Sequence, residues 1–433
     1  DVEPATHSAH VPVGAGSRPS YRDGSARVAD LPAEHPAPGQ KVVLMRKIAV
    51  MTGTRADFGL LRNLLAELDA RQDTQLQLIV TGSHLSKAHG MTVAEVTSAG
   101  FTPAAEVPIW GESDSSLEAA IDTGEAVAKF ARALNELKPD VVVVLGDRLE
   151  AFAMATAATI LLIPVAHIHG GELTEGAMDD ALRHSITKLS YLHFTTTEGH
   201  RHRGERLGEA PDRVFNFGAP VLDALESLNL LSRAEVAERF GIRFAEKNLM
   251  MTFHPAAFDE APAQVLIDEL LAAMGDFADQ EGAQLIITGT NNDIGSAEVR
   301  AAIAAFAAER PNQVDYVESF GQLGYLSAMK QMSVVTGNSS STVLEAPVLG
   351  VPAVLVGNRQ EGRPMSASVI KPIAKRAEIL SALKHAVSPE FLKAIEGVGT
   401  PFGLPGFAKK AAEVLATYEI PKPPKKKFWQ ESH

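Results

Sequence analysis

From Met45 onward, short runs of β-branched and other apolar residues alternate with longer stretches whose apolar positions recur at helical spacing. This is the pattern of parallel strands buried on both faces and joined by covering helices. It predicts strands at 47–51, 76–80, 141–145, 164–168, 192–196 and 214–217, with helices over 58–70, 117–137 and 179–189 among them. After GAPVLDALESL, 218–228, the pattern starts afresh: strands at 249–253, 284–288, 314–317, 333–336 and 353–356, helices near 263–280, 296–309 and 341–349. The expected fold class is α/β, with two Rossmann-like doubly wound domains at 45–222 and 223–403. Such sheets take ligands at the carboxyl ends of their strands, so two facing halves place a cleft between both sets of loops.

What lies outside that pattern reads as accessory. Residues 1–44 are rich in Pro, Gly, Ser and His and lack the layout of a signal peptide, so they are expected to form a flexible leader. The tail KPPKKKFWQESH, 422–433, reads as part of a solvated, flexible end over 421–433. The apolar stretch 151–166 is broken by threonines and by Pro164 and is shorter than the roughly 20 residues of a membrane span; it reads as a buried helix running into a strand. Among 433 residues there is no cysteine, which removes disulfides and thiolate chemistry and suits a reducing cytoplasm. A net charge of −13 argues against nucleic acid or an anionic membrane as the main partner.

The polar motifs fall where the architecture places a ligand. IAVMTGTRADFGLL, 48–61, is a strand, a glycine turn and a helix whose start brings Arg55 toward an anion, or is a plain turn capped by Asp57. VVVVLGDRLEAF, 141–152, ends a buried strand on Asp147 and Arg148, with helix capping by Asp147 the simpler reading. VVTGNSSSTVLEAP, 334–347, leads a strand into Gly337, Asn338 and Ser339, Ser340 and Ser341, a set suited to an anion at a helix start or to simple capping. Glu345, a turn further on, suits a sugar diol, and Pro347 implies a short or kinked helix. GNRQEGRP, 357–364, brings Arg359 and Arg363 to the same edge, as a diphosphate clamp would.

HIHGGELTEGAMDDALRH, 167–184, is the densest cluster. His167 and His169, two apart on a strand, project to one face and with Glu172 have the makings of a metal site, although a hydrogen-bonded strand histidine is the commoner role. Asp179 and Asp180 pair at i,i+4 with Arg183 and His184, which salt bridging alone explains. Against that stands convergence: Asp147, Glu172 and Asp179 all fall at ends of neighbouring strands or the helix start that follows, where crowded carboxylates raise one another's pKa and become plausible acids and bases.

GTRADFGLL, GDRLEAF, HIHGGELTEGAMDDALRHSITKLSYLHF, TFHP, GNSSSTVLEAP and GNRQEGR, in this order over about residues 45–420, resemble the hydrolysing UDP-N-acetylglucosamine 2-epimerases of sialic and legionaminic acid pathways. The resemblance implies a GT-B fold with the nucleotide sugar between the domains, and a C-terminal helix, here within 404–420, crossing back to the first domain. It implies elimination of UDP across carbons 1 and 2 followed by hydration, giving a free N-acetylmannosamine-type sugar or a 2,4-diacetamido relative, without cofactor or metal, in a cytoplasmic homo-oligomer. It makes Asp147 and Asp179 the catalytic carboxylates and adds Arg183 and His254 in the cleft. It makes Arg55, Arg148, Asp180, Asn291, Ser339, Ser340, Ser341, Glu345 and Arg359 substrate contacts. Where much of the family has a glutamate in HIE, this chain has His169, which leaves His169 or Glu172 to make the third proton transfer; the carboxylate behind two glycines is the favoured candidate. A non-hydrolysing 2-epimerase, a GT-B glycosyltransferase and a sugar-nucleotide sensor without turnover share these features, and UDP is not separated from GDP.

Overall fold

The computed structural model describes residues 27–28, 45–86, 91–109, 116–174, 178–255, 261–290 and 296–430. The first sheet holds β1 (Arg27–Val28), β2 (Arg46–Thr52), β3 (Thr74–Thr81), β4 (Ala105–Val107), β5 (Val141–Leu145), β6 (Val165–Ile168), β7 (Leu192–Thr195) and β8 (Val214–Asn216). Their order is β1-β4-β3-β2-β5-β6-β7-β8, parallel throughout except that β1 runs antiparallel along the β4 edge. The second sheet holds β9 (Asn248–Thr252), β10 (Gln284–Thr288), β11 (Val314–Val317), β12 (Val334–Gly337), β13 (Ala353–Leu355) and β14 (Val369–Ile370) in the order β11-β10-β9-β12-β13-β14, all parallel. Each order reverses direction once, between β2 and β5 and between β9 and β12. Those two points are where doubly wound sheets open a crevice.

The apolar pattern located the buried strands because their residues pack on both faces. Val141 to Val144 are fully enclosed, and β9 and β10 bury every residue. β1, β4 and β14, of two or three residues each, escaped the reading because so short a run carries no period. The apolar stretch from 151 resolves into the helix Leu149–Ile160 and β6, as its composition implied. The segment expected to be one helix over 341–349 is a 3-10 turn, Ser340–Thr342, followed by a single turn, Glu345–Val348; Pro347 removes a donor just where a longer helix would need one.

The two halves are tied by the end of the chain. Asp223, on the helix Pro220–Ser227, accepts hydrogen bonds from the amides of Gly406, Phe407 and Ala408 at 2.5, 3.1 and 2.6 Å, capping the helix Phe407–Thr417. That helix buries Phe407, Ala411, Ala412 and Leu415 in the core of the first half, so the chain does return to it.

The tail does not behave as a solvated end. Lys426 reaches inward, its Nζ donating to the carbonyls of Lys188 and Ser190 at 2.5 and 2.7 Å and pairing with Glu209 at 2.8 Å. The Lys188 ammonium lies over the Phe428 ring, and the Trp429 amide donates to Gly208 O. A charged, proline-rich composition described the tail's average and not the one lysine that turns inward. The fully buried Glu209, already facing Lys188 and His193, supplies a partner that no local pattern announces.

Candidate active site

At the end of β5, Asp147 pairs with Arg183 from the helix Met178–Leu189. The capping role is therefore absent: the N-cap of the next helix is Arg148, and its side chain makes no cap hydrogen bond. Arg183 pairs across the strand ends to Asp147 rather than back along its helix to Asp179, and donates to Thr174 Oγ1 at 2.8 Å. Burial pushes the Asp147 carboxyl up, Arg183 opposes, and Asp179 and Glu172 push it further up. Asp147, Asp179 and Glu172 thus share one electrostatic neighbourhood, as their positions at strand ends implied. Asp180 takes another role: its carboxylate accepts the Thr174 amide at 2.9 Å and faces His184 at 3.4 Å, tying Thr174 to the first turn of the helix.

The two histidines of the HIH segment do not share a ligand. His167 is fully buried on β6, bonded to Gly146 O at 2.7 Å and Thr187 Oγ1 at 3.1 Å, and burial brings its pKa down to about 3. β6 ends at Ile168, so His169 lies past the strand with φ of +69°, and strand alternation no longer governs its direction. Its Nδ1 lies 3.2 Å from Glu172 Oε1. The same oxygen accepts from Thr196 Oγ1 at 2.9 Å, and Thr196 in turn bonds His200 Nδ1 at 2.8 Å. Burial pushes the Glu172 carboxyl up, but His169, with Arg363 and His200 beyond, holds it well below the usual range. Gly171, at φ +79°, lets the chain fold back here; a side chain there would collide with His200 O. Among the described residues no group of three His, Asp or Glu has the arrangement of a metal site.

The second half presents hydroxyls and amides instead. Asn338 is fully buried and knots three motifs together: it exchanges two hydrogen bonds with the His254 backbone, at 2.8 and 2.7 Å, and its carbonyl accepts from Gln360 at 2.9 Å and Arg359 at 3.4 Å. His254 Nδ1 lies 3.3 Å from Thr290 Oγ1. Thr288, Thr252, Tyr325, Ser341 and Ser339 form one hydroxyl chain with links of 2.9, 2.9, 2.6 and 3.0 Å. Ser341 is thus buried and engaged, while Ser339 caps the 3-10 turn. So short a turn offers no long helix dipole, which removes part of the anion argument and leaves the hydroxyls and arginines. Burial pushes Glu345 up to about 7, against the charge of Arg363, and its Oε2 is enclosed without a hydrogen-bond partner among the described residues. The charge of Arg363 acts on both Glu345 and Glu172, one carboxyl from each half.

At the β2–β5 crevice, Arg55 is more than half exposed and pairs with Glu95 at 2.5 Å, and Thr54 rather than Asp57 caps the helix Arg55–Asp69. Arg148 pairs with Glu150 at 2.7 Å. Sequence reasoning missed Glu150, which is buried beside Gly53, where a Cβ would sit 2.6 Å from its Oε1. Gly53 thus makes room for a carboxylate, and that carboxylate joins burial in pushing Asp57 up to about 6. It also missed Thr196, His200 and Tyr325. Thr196, directly after β7, and Glu150 and His200, each in the first turn of a helix that follows a strand, did carry the positional signal of the other site residues. Asn291 lies outside the described residues.

The family model described as UDP-N-acetylglucosamine 2-epimerase matches residues 66–416. The chain belongs to that family. It is 34% identical over 325 residues to the GDP/UDP-N,N'-diacetylbacillosamine 2-epimerase (hydrolyzing) of Campylobacter jejuni, covering 75% of this chain and 84% of that one. It is 33% identical to the UDP-N,N'-diacetylbacillosamine 2-epimerase (hydrolyzing) of Legionella pneumophila, covering 81% and 91%. In fold it is similar to the UDP-GlcNAc 2-epimerase of Neisseria meningitidis bound to UDP-GlcNAc, with a TM-score of 0.73, 20% identity and coverage of 86% and 99%. The two-sheet α/β architecture of this 2-epimerase is therefore the GT-B fold, and no helix among its described residues is long and apolar enough to cross a membrane.

Proposed function

We propose that this 2-epimerase is hydrolytic: it converts a UDP-linked 2-acetamido sugar to UDP and the free 2-epimer by elimination and then hydration. In the first step the bond from C2 to hydrogen and the bond from C1 to the diphosphate oxygen break, and a C1–C2 double bond forms. In the second, water oxygen adds to C1 and a proton returns to C2 from the opposite face. Inversion at C2 therefore requires two proton-transfer groups, one on each side of the ring. The observation that carries the reading is the meeting of Asp147, Asp179 and the His169–Glu172 pair at adjacent strand ends, opposite Arg363 and the Ser339–Arg359 edge.

The C2 hydrogen has no adjacent carbonyl to acidify it, so leaving-group stabilisation has to do much of the work. Arg359, Ser339 and Ser340, with Arg55 and Arg148 across the cleft, are the groups suited to the diphosphate charge. Glu345 is suited to the ribose diol, and Arg183 holds Asp147 in place. Relatives whose names specify a hydrolysing reaction, at 33% and 34% identity over most of their length, favour hydrolysis over inversion with the nucleotide retained. The same relatives make a 2,4-diacetamido sugar a substrate to test beside UDP-N-acetylglucosamine. The two domains that close on it run over 45–222 and 223–403, in a cytoplasmic homo-oligomer. Turnover in heavy water checks the proposal: the released sugar should carry deuterium at C2, with one UDP freed per sugar. Protium retained at C2 rejects the elimination, and epimer formed without free UDP makes the enzyme non-hydrolysing.

A further inference from the structure

An acid–base group that meets substrate needs an atom free to exchange a proton, and in the His169 cluster Nε2 of His169 is such an atom. Thr196 has one hydroxyl proton. It donates that proton to Glu172 Oε1, so it must accept from His200, whose Nδ1 is therefore protonated. The carboxylate then receives Thr196 on one side and His169 Nδ1 on the other. A hydrogen bond from imidazole to carboxylate places the ring proton on Nδ1 and leaves Nε2 as a bare lone pair. In His169, Nε2 is enclosed and has no hydrogen-bond partner among the described residues. The backbone reinforces this: His169 sits at φ +69°, a conformation that costs a non-glycine residue energy and holds the ring beyond the strand end. Glu172 is almost fully buried, with its Oε1 already taken by two donors.

We infer that His169, through Nε2, is the group that exchanges a proton with substrate, and that Glu172 is a positioning residue that fixes the imidazole tautomer and stabilises the imidazolium once formed. This reverses the preference for Glu172 that its place behind two glycines suggested. The inference rests on the 2-epimerase reaction proposed above. Asp147, on the neighbouring strand end and within the field of His169, is then the natural partner for the other face of the sugar ring. The proton balance is closed: Nε2 takes the proton on one face or gives it on the other, and Glu172 stays ionised throughout.

The two assignments make opposite forecasts for conservative substitutions. His169→Gln keeps a polar side chain but has no basic nitrogen. It should lower kcat by about 10²-fold or more with KM changed only a few-fold. Glu172→Gln keeps a carbonyl able to accept from both Thr196 and His169, so it should lose only about tenfold, again in kcat rather than KM. Glu172→Gln as damaging as His169→Gln, or more so, overturns the inference. A second measurement does not depend on turnover: ¹⁵N NMR of histidine-labelled wild type in alkaline buffer, with the His169 signal assigned by its loss in His169→Gln. A protonated Nδ1 and bare Nε2 are expected, and a protonated Nε2 overturns the inference. If wild type releases UDP from no sugar nucleotide, the proposed reaction fails, while the NMR result still decides the tautomer.

Discussion

The two halves of this 2-epimerase share the order of six parallel strands, with β1 and β8 added in the first, and differ in what they set at the strand ends. The first half gathers charge: Asp147, Asp179 and Glu172 against Arg183, and Asp57 and Glu150 against Arg148, with burial pushing the Asp147 and Asp57 carboxyls up. The second gathers neutral donors and acceptors, a five-hydroxyl chain and the buried Asn338, and leaves Glu345 as a lone carboxyl raised toward neutrality. Equal scaffolds thus carry unequal work. The charged half can move protons and the hydroxyl-lined half can hold a nucleotide, so substitutions in the two should separate kcat from binding.

The sharpest way to break this contrast is at the two aspartates. Asp147→Asn and Asp179→Asn preserve shape, and the amide oxygen at 147 can still accept from Arg183, so fold and UDP affinity should survive. Turnover should fall by about 10²-fold or more if these groups transfer protons or tune those that do. Steady-state kinetics with UDP titration calorimetry reads both quantities. Loss of UDP binding with kcat retained would assign the first half to binding and erase the distinction. The mirror experiment is Arg359→Ala, which removes a charge-assisted contact typically worth about 1.5–3 kcal/mol. It should weaken UDP by roughly tenfold to a hundredfold. An unchanged affinity would move the diphosphate away from the Ser339–Arg359 edge.

Both sheets were legible because buried parallel strands are continuous apolar runs, and the runs from Val141 and Leu249 locate their strands within a residue. The strand-end residues were legible for the same reason, since a polar residue directly after a buried strand must face the crevice. What stayed hidden depends on tertiary partners. Glu150 and Gly53 are nearly a hundred positions apart and meet only because β2 and β5 are neighbours. Lys426 looked like one of a run of solvated lysines, and only the enclosed Glu209 sets it apart. At His169 the difference is a single dihedral: the strand was read as partly reaching it, but β6 ends at Ile168 and a positive φ sets the ring beside Glu172.

The smallest effect expected tests the lone carboxyl of the second half. In the folded, ligand-free protein burial raises Glu345 from 4.5 to about 7, so the folded chain holds this proton more tightly than the unfolded one. Between those values folding takes up a proton. The stability that comes with the neutral carboxyl is present in full below pH 4.5 and is lost as pH rises through about 7. Glu345→Gln stays neutral at every pH and escapes that loss. Its melting temperature should therefore match wild type near pH 5 and exceed it at pH 8. The gain should be roughly 1 kcal/mol, a few degrees, less than the full shift because solvent reaches part of the side chain. The ligand reverses the preference. A ribose diol donates to a carboxylate and would favour the ionised form, so wild-type UDP affinity should rise as pH passes 7 and the variant's should stay level. Parallel pH profiles for the two proteins, in melting and in UDP binding, would show that Glu345 keeps an ordinary pKa and has no contact with the ribose.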